Sequence, residues 1–303
     1  MIDEMVATPV VPSHQLVRFA ILSDYLSLTK PRILLLLLIT EFCTMIAAAR
    51  GWPGTSLTLV ALAGGAFSAG GAAAVNCWFD RDTDAVMART CTRPIPSGRI
   101  APANALAFGV GLSALGFVSL AVATNLLSAM LALAGGLFYV FVYTMWLKRS
   151  TRQNIVIGGA AGAFPPLVGW AVVTGSVTPA ALALFAVIFF WTPPHFWSLA
   201  LLLRRQYQEV GVPMLPVVAT DAATRRSIMV YSVVLLLVSL VPTIWFGPIY
   251  AAGAMVLGGA FLWMAWRGLT AQGLRWASRL FHFSLAYLAV VFALAAVAGL
   301  LPH

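Results

Sequence analysis

The sequence predicts an all-α polytopic membrane bundle of nine transmembrane helices, and three observations carry that expectation. Hydrophobic residues fill 61% of the 303 positions and charged residues only 9%, with a mean hydropathy of +0.93. A soluble domain carries roughly 25% charged residues, and no soluble core of this length hides so much apolar surface, whereas a bilayer does. Nine apolar runs come near the ~20 residues that a spanning helix needs. The basic residues, finally, alternate from one connection to the next.

The runs lie at about 31–50, 55–78, 103–123, 126–146, 155–174, 179–203, 227–246, 248–267 and 280–300. Ahead of them, residues 1–30 read as a tail and an interfacial segment around Leu16–Leu28. The acidic Asp3 and Glu4 stand where a cleaved leader would carry basic residues. Residues 31–303 form a single transmembrane domain. Seventeen of the eighteen Lys and Arg fall in the N-terminal segment or in every second connection, and only Arg50 falls in the alternate set. Such asymmetry places the basic loops and the N-terminus in the cytoplasm and His303 on the other side of the cell inner membrane. It also removes nucleic acid as a partner, because the net charge of +9 is spread over short loops and forms no patch. Cys43, Cys77 and Cys91 match no metal or haem-attachment spacing. A weak internal echo, an apolar helix followed by an Arg-rich loop, occurs at 55–102 and again at 179–226.

Chemistry needs ionisable groups, and they collect in the long basic loops. Three of the nine acids fall within five residues, in Asn76-Cys-Trp-Phe-Asp80-Arg-Asp82-Thr-Asp84. If the second span continues through them, Asn76, Asp80 and Asp84 share one face at i, i+4 and i+8, and Asp82 points away. Carboxylates stacked so closely repel unless a cation neutralises them, and an oxygen-only set suits Mg²⁺ shared with substrate phosphates. A polar cluster that begins inside an apolar span is expensive and therefore a functional candidate. Arg89 and Arg93 follow in a loop held out of helix by Pro94, Pro96 and Gly98, and can clamp a diphosphate. Positive-inside anchoring is the alternative role for these arginines. Lys148, Arg149 and Arg152 precede Asn154, which opens the fifth span and could cap it, a natural anion site. Inside that span, small residues from Gly158 to Gly162 suit close packing, and Pro165-Pro166 should break or kink the helix.

The sixth span holds Trp191-Thr-Pro-Pro-His195-Phe-Trp197. Three roles stay open for this set: belt aromatics with a hydrogen-bonded His, a wall for a flat aromatic substrate, or a haem-iron ligand. His282 opens the ninth span and reads as interfacial.

The pattern Asn76-xxx-Asp80-xxx-Asp84, then Arg89-Thr90-xx-Arg93-Pro94, resembles the first aspartate motif of the UbiA-type intramembrane prenyltransferases. Further matches run along most of the chain: Thr29-Lys30-Pro31-Arg32, Tyr143 with Lys148-Arg149, Gly158-Gly159 with Pro165-Pro166, Trp191 to Trp197, and Gly211-Val-Pro213-Met214-Leu215-Pro216. Cys77, where quinone-prenylating relatives carry a second Asp, favours the haem-prenylating branch. The resemblance implies a central cavity among nine helices and transfer of the farnesyl group of farnesyl diphosphate to a vinyl group of haem b, giving haem O. It implies Mg²⁺ on Asp80 and Asp84 with Asn76, the five basic residues and Asn154 on the diphosphate, and Tyr143, Trp191, His195 and Trp197 around the organic substrates. A terminal oxidase or other haem O-using enzyme would be the downstream partner. The pattern departs at Gln206, where the family carries an acid before Tyr207. Either Glu209 or Asp221 supplies that carboxylate, or the protein holds a single metal. The competing readings are a prenyltransferase of aromatic or quinone precursors and a cation-binding transporter. A transporter calls for acids near the bilayer midplane and broken helices in matched halves, whereas this chain gathers its acids at one face.

Overall fold

The computed structural model describes residues 14–301, with side-chain surroundings from residue 21 onward. The expected tail over 1–13 and the C-terminal His303 lie outside the described residues. Within them run thirteen helices: α1 His14–Leu28, α2 Pro31–Ala49, α3 Thr55–Phe79, α4 Arg81–Val86 and α5 Pro102–Ala123, then α6 Leu126–Ser150, α7 Asn154–Thr174 and α8 Pro179–Leu202. The short α9 Arg204–Glu209 and α10 Leu215–Val218 precede α11 Asp221–Leu240, α12 Thr243–Thr270 and α13 Arg275–Gly299. Nine of these, among the described residues, are long and apolar enough to cross a bilayer.

Local chemistry explains where the spans begin. Proline opens α2, α5 and α8, where its missing N–H is not needed. Asn125, Thr178 and Thr220 cap α6, α8 and α11 by accepting from the backbone N–H three residues on. The Thr220 cap, with Asp221 in the first turn, starts the seventh span six residues before the expected 227. The eighth expected start, 248, marks a kink instead: Gly247 adopts φ 70° and ψ −167° inside α12, just before Pro248. The prolines of α7 and α8 do not break their helices, which run on through Pro165-Pro166 and Pro193-Pro194. Inside a bundle, neighbouring helices shield the freed carbonyls and make such prolines tolerable.

Two kinds of packing hold the bundle. Between α3 and α5 the backbones nearly touch: a Cβ on Gly71 would lie 2.6 Å from the Gly109 carbonyl, and one on Gly116 would lie 2.6 Å from the Ser68 nitrogen. Small residues are what permit this approach between membrane helices. Elsewhere large rings fill the interior, with Phe261, Tyr287 and Phe292 fully enclosed where α13 packs among α2, α8 and α12. The Tyr287 hydroxyl meets Ser239 Oγ at 2.6 Å, which satisfies a polar group far from water.

The expected echo has a structural counterpart. Both α3 and α8 are followed by a six-residue helix and then an irregular loop. The two loops meet over one end of the bundle in an apolar cluster of Met87, Ile155, Tyr207, Val212 and Met214. The described part of the N-terminal segment is docked there too: Leu28 packs with Ala74, Cys77 and Ile95, and Asp24 pairs with Arg99 at 2.9 Å.

Gly116→Val should lower the thermal midpoint of the detergent-solubilised protein, because the added carbons meet backbone that cannot move aside, a penalty of about 1–3 kcal/mol or more. The check is a melt monitored by size-exclusion, compared with Gly111→Val, whose Cβ meets nothing within 4 Å.

Candidate active site

Asn76 and Asp80 lie at the C-terminal end of α3, and Asp84 follows one turn on in α4. The backbone bends at Asp80 (φ −81°, ψ 4°), yet Asp80 N–H still donates to the Asn76 carbonyl at 2.9 Å and Asp84 N–H to the Asp80 carbonyl at 2.8 Å. The three side chains therefore share one face as the spacing predicts. They are 3%, 2% and 5% exposed, so both carboxylates must be paired to be tolerated.

Their partners are cations drawn from three other segments. Lys148 Nζ lies 2.5 Å from Asp80 Oδ2, and Arg93 lies 2.6 Å from Asp84 Oδ2. Arg149 reaches Asp80 at 3.5 Å and grips both oxygens of the solvent-facing Asp82 at 2.8 Å. Hydrogen bonding from Arg149 pushes the Asp82 carboxyl down to about 2. Burial works against the Arg93 charge, but neighbouring Asp84 keeps its pKa above the ordinary value. Lys30 donates to Asn76 Oδ1 and, at 3.3 Å, to the Tyr139 hydroxyl. Asn76 Nδ2 donates in turn to Asp80 Oδ2 (2.8 Å) and to Thr144 Oγ1 (2.9 Å). Four cations thus face three carboxylates, and the surplus positive charge is available to an anion.

Lys30, Tyr139 and Thr144 join the site without having been singled out for it. Lys30 carried a readable signal, a lysine beside Pro31 at the mouth of a span. Its backbone is left-handed, φ 54°. Tyr139 and Thr144 carried none. From Phe138 to Leu147 the chain of α6 is π-helical, and Thr144 Oγ1 donates to the Tyr139 carbonyl at 2.8 Å, five residues back. Such widened turns are frequent at functional sites.

The remaining candidates are placed as follows. Arg89 stacks 5.6 Å over the ring of the buried Tyr207 and joins the two loops, and burial pushes that phenol up. Tyr143 stacks on Tyr139 at 5.7 Å and lies against Gly158. Arg152 is exposed and makes no side-chain hydrogen bond among the described residues. Asn154 does not cap α7. Its amide is folded inward and donates weakly to the Lys148 carbonyl at 3.4 Å, while Oδ1 is enclosed without a partner. Glu209 does not join the carboxylates: it is 44% exposed and turned to Arg205 one helical turn away, at 3.0 Å. Asp221 likewise pairs with Arg204 at the surface. Gln206 keeps its side-chain oxygen enclosed with no donor.

His195 lies apart from this cluster. Its ring is sandwiched between Trp191 (4.1 Å) and Phe281 (4.8 Å). Trp191 and Trp197 are 7% and 3% exposed, so neither belongs to a lipid-facing belt; α8 runs inside the bundle. Ser284 Oγ donates to the Phe281 carbonyl at 2.6 Å. It must therefore accept from His195 Nδ1–H, also at 2.6 Å, and Nε2 keeps its lone pair. Half-buried Phe164, Phe185, Phe189 and Phe190 continue the aromatic lining in successive contact.

A buried pair of carboxylates, an amide and a cation surplus gather at one end of a bundle with nine candidate spans among the described residues, an arrangement with room in its charge balance for an anion. The chain belongs to the UbiA prenyltransferase family, whose model matches residues 37–291. A protein of Symbiobacterium thermophilum named Protoheme IX farnesyltransferase is 54% identical over 90% of this chain and 92% of its own length. One of that name from Acidiphilium cryptum is 51% identical over 89% and 88%. Another, from Roseiflexus sp. (strain RS-1), is 50% identical over 92% of this chain, which spans about half (52%) of that relative. Among solved structures, digeranylgeranylglyceryl phosphate synthase superposes with a TM-score of 0.76 at 19% identity, over 93% of this chain and 99% of that one. A UbiA homolog from Archaeoglobus fulgidus bound to GPP and Mg²⁺ gives 0.68 at 16%, over 90% and 99%.

Glu209→Gln should leave prenyl transfer within about twofold of the parent, since its exposed pair with Arg205 is worth well under ~1 kcal/mol. The rate of diphosphate release by the purified variant is the check, and a large loss would return Glu209 to the metal site.

Proposed function

We infer that this chain transfers the farnesyl group of farnesyl diphosphate to a vinyl group of haem b, with water adding a hydroxyl, to give haem O. The carrying observation is the buried Asp80–Asp84 face within a ring of basic residues, in a chain about half identical to relatives named for that reaction. A prenyltransferase of aromatic or quinone precursors would use the same diphosphate site, but the relatives quoted bear the haem activity in their names. A transporter is disfavoured by the gathering of Asp80, Asp82 and Asp84 with their basic partners at one end of the bundle, although Glu41 lies buried within α2.

The donor set fits Mg²⁺. Asp80, Asp84 and the Asn76 oxygen are all hard ligands, and Asn76 Oδ1 already faces a cation, Lys30. Among the described residues no three His, Cys, Asp or Glu side chains gather into a metal site, so substrate phosphate oxygens would complete the shell. When bound, the ion supplies charge neutralisation to the departing diphosphate. Arg93, Lys148, Arg149 and Lys30 surround the same anion and stabilise the charge that grows on it as the farnesyl C1–oxygen bond breaks. Arg89 and Arg152 flank the mouth. Farnesyl C1 then bonds to the terminal vinyl carbon. The inner vinyl carbon takes the oxygen of water, and one proton is released. His195, with Nε2 free, Trp191 and Tyr143 face the haem, and Ser284 holds His195 in the tautomer that can ligate iron. The aromatic run of α7 and α8 lines the isoprenoid path.

The distribution of basic residues supports a site on the cytoplasmic side of the cell inner membrane, and a terminal oxidase or another haem O-using enzyme would consume the product.

Asp80→Asn and Asp84→Asn should each lower turnover by at least ~10²–10³-fold, with the protein still folded in membranes. Chromatography of haems from cells expressing each variant reads the result; near-normal haem O would remove the metal role. Chelation of divalent ions should stop the purified enzyme, and added Mg²⁺ should restore it. Ser284→Ala should disturb the haem absorption spectrum and weaken haem binding several-fold while leaving the KM for farnesyl diphosphate unchanged.

A further inference from the structure

The end of the bundle opposite Asp80 carries a second polar feature that farnesyl transfer does not use. Arg50 follows the last residue of α2, about 28 Å along that helix from Pro31. It is the one basic residue in the connections on that side. A cavity of about 230 Å³ opens beside it, walled by Trp170, Thr178, Trp245 and Phe246 at the ends of α7, α8 and α12. The Gly247 kink sets the two α12 aromatics against it.

The lining is unbalanced in charge and in donors. Among the described residues Arg50 forms no ion pair and no acid lines the cavity. Trp170 is 9% exposed and its indole N–H is enclosed without an acceptor. Thr178 accepts from Ala181 N–H and leaves its hydroxyl hydrogen uncommitted. Two uncommitted donors and one full positive charge therefore belong to residues that line a space rimmed by apolar rings. Outside it, Ile244 and Trp52 are 76% and 60% exposed, an apolar surface of the kind acyl chains cover.

We propose that this cavity binds the phosphate headgroup of a glycerophospholipid, with Arg50 as its counter-ion and the acyl chains lying along the outer faces of α2 and α12. Position decides against the other anions at hand. The cavity lies at the end of the spans, at headgroup depth, where a basic residue among aromatic rings meets lipid phosphate. A haem whose vinyl group reaches Asp80 cannot also present its propionates a full helix length away.

The test is native mass spectrometry of the full chain in detergent, titrated with phosphatidylglycerol, with diacylglycerol of the same acyl chains, and with phosphatidylglycerol plus inorganic phosphate as competitor. One phosphatidylglycerol should be retained, and Arg50→Gln should bind it about tenfold or more weakly, as expected for loss of a hydrogen bond to a charged group. Arg50→Lys should recover part of the affinity. Trp170→Phe, which keeps the ring and removes the donor, should weaken retention by a smaller factor and still decides the matter if Arg50→Gln does not fold. Equal retention by the parent and both Arg50→Gln and Trp170→Phe would overturn the proposal. So would equal retention of diacylglycerol, which means an apolar groove only, or displacement by inorganic phosphate, which means a site for free anions.

Discussion

A bilayer cannot hydrate charge, so a protein that handles a diphosphate at the membrane must assemble its ions at the rim and pair them with one another. Asp80 and Asp84 are nearly sealed from solvent, and the cluster stands only because Lys148, Arg149 and Arg93 arrive from other segments to meet them. Burying each carboxylate alone would cost several kcal/mol, and removing one partner of such a pair typically costs ~3–5 kcal/mol. The same arrangement leaves the basic side chains one charge in excess of the acidic ones, a surplus that favours an anion.

That convergence rests on backbone geometry. The small-residue contact of α3 with α5 holds the C-terminal end of α3, and therefore Asn76, in a fixed place. The π-turns of α6 then bring Thr144 under the Asn76 amide and Tyr139 beside Lys30. Asn76 is held on three sides, by Lys30, Thr144 and Asp80, and so presents one orientation. A regular α-helix over the same residues would not place a hydroxyl five residues from its carbonyl acceptor. The departure from regularity is thus part of how the site is built.

The two ends of the bundle use their few polar groups differently. At the end that carries Asp80 and Asp84, opposed charges neutralise one another. Opposite, Arg50 has no acid beside it among the described residues, and its surroundings are rings and unused donors. His195 occupies a third environment between them, where Ser284, itself committed to the Phe281 carbonyl, dictates which imidazole nitrogen carries the proton.

Much of this was legible before any coordinates. Hydropathy alone placed the spans, because the bilayer imposes length and composition on every segment. The i, i+4, i+8 spacing put Asn76, Asp80 and Asp84 on one face, because helical periodicity depends only on local backbone. Long-range placement was not legible. Glu209 and Asn154 had suitable chemistry in suitable loops, yet one turns to Arg205 in solvent and the other folds inward beneath Lys148. Lys30, Tyr139, Thr144 and Ser284 gained their roles from segments 46, 68 or 89 residues distant in the chain, or from a π-turn. Composition and period are local properties that water and lipid act on directly. Which cation meets which carboxylate is settled only when the helices pack, since that depends on the backbone spacing that glycine allows and on the register that a widened turn shifts.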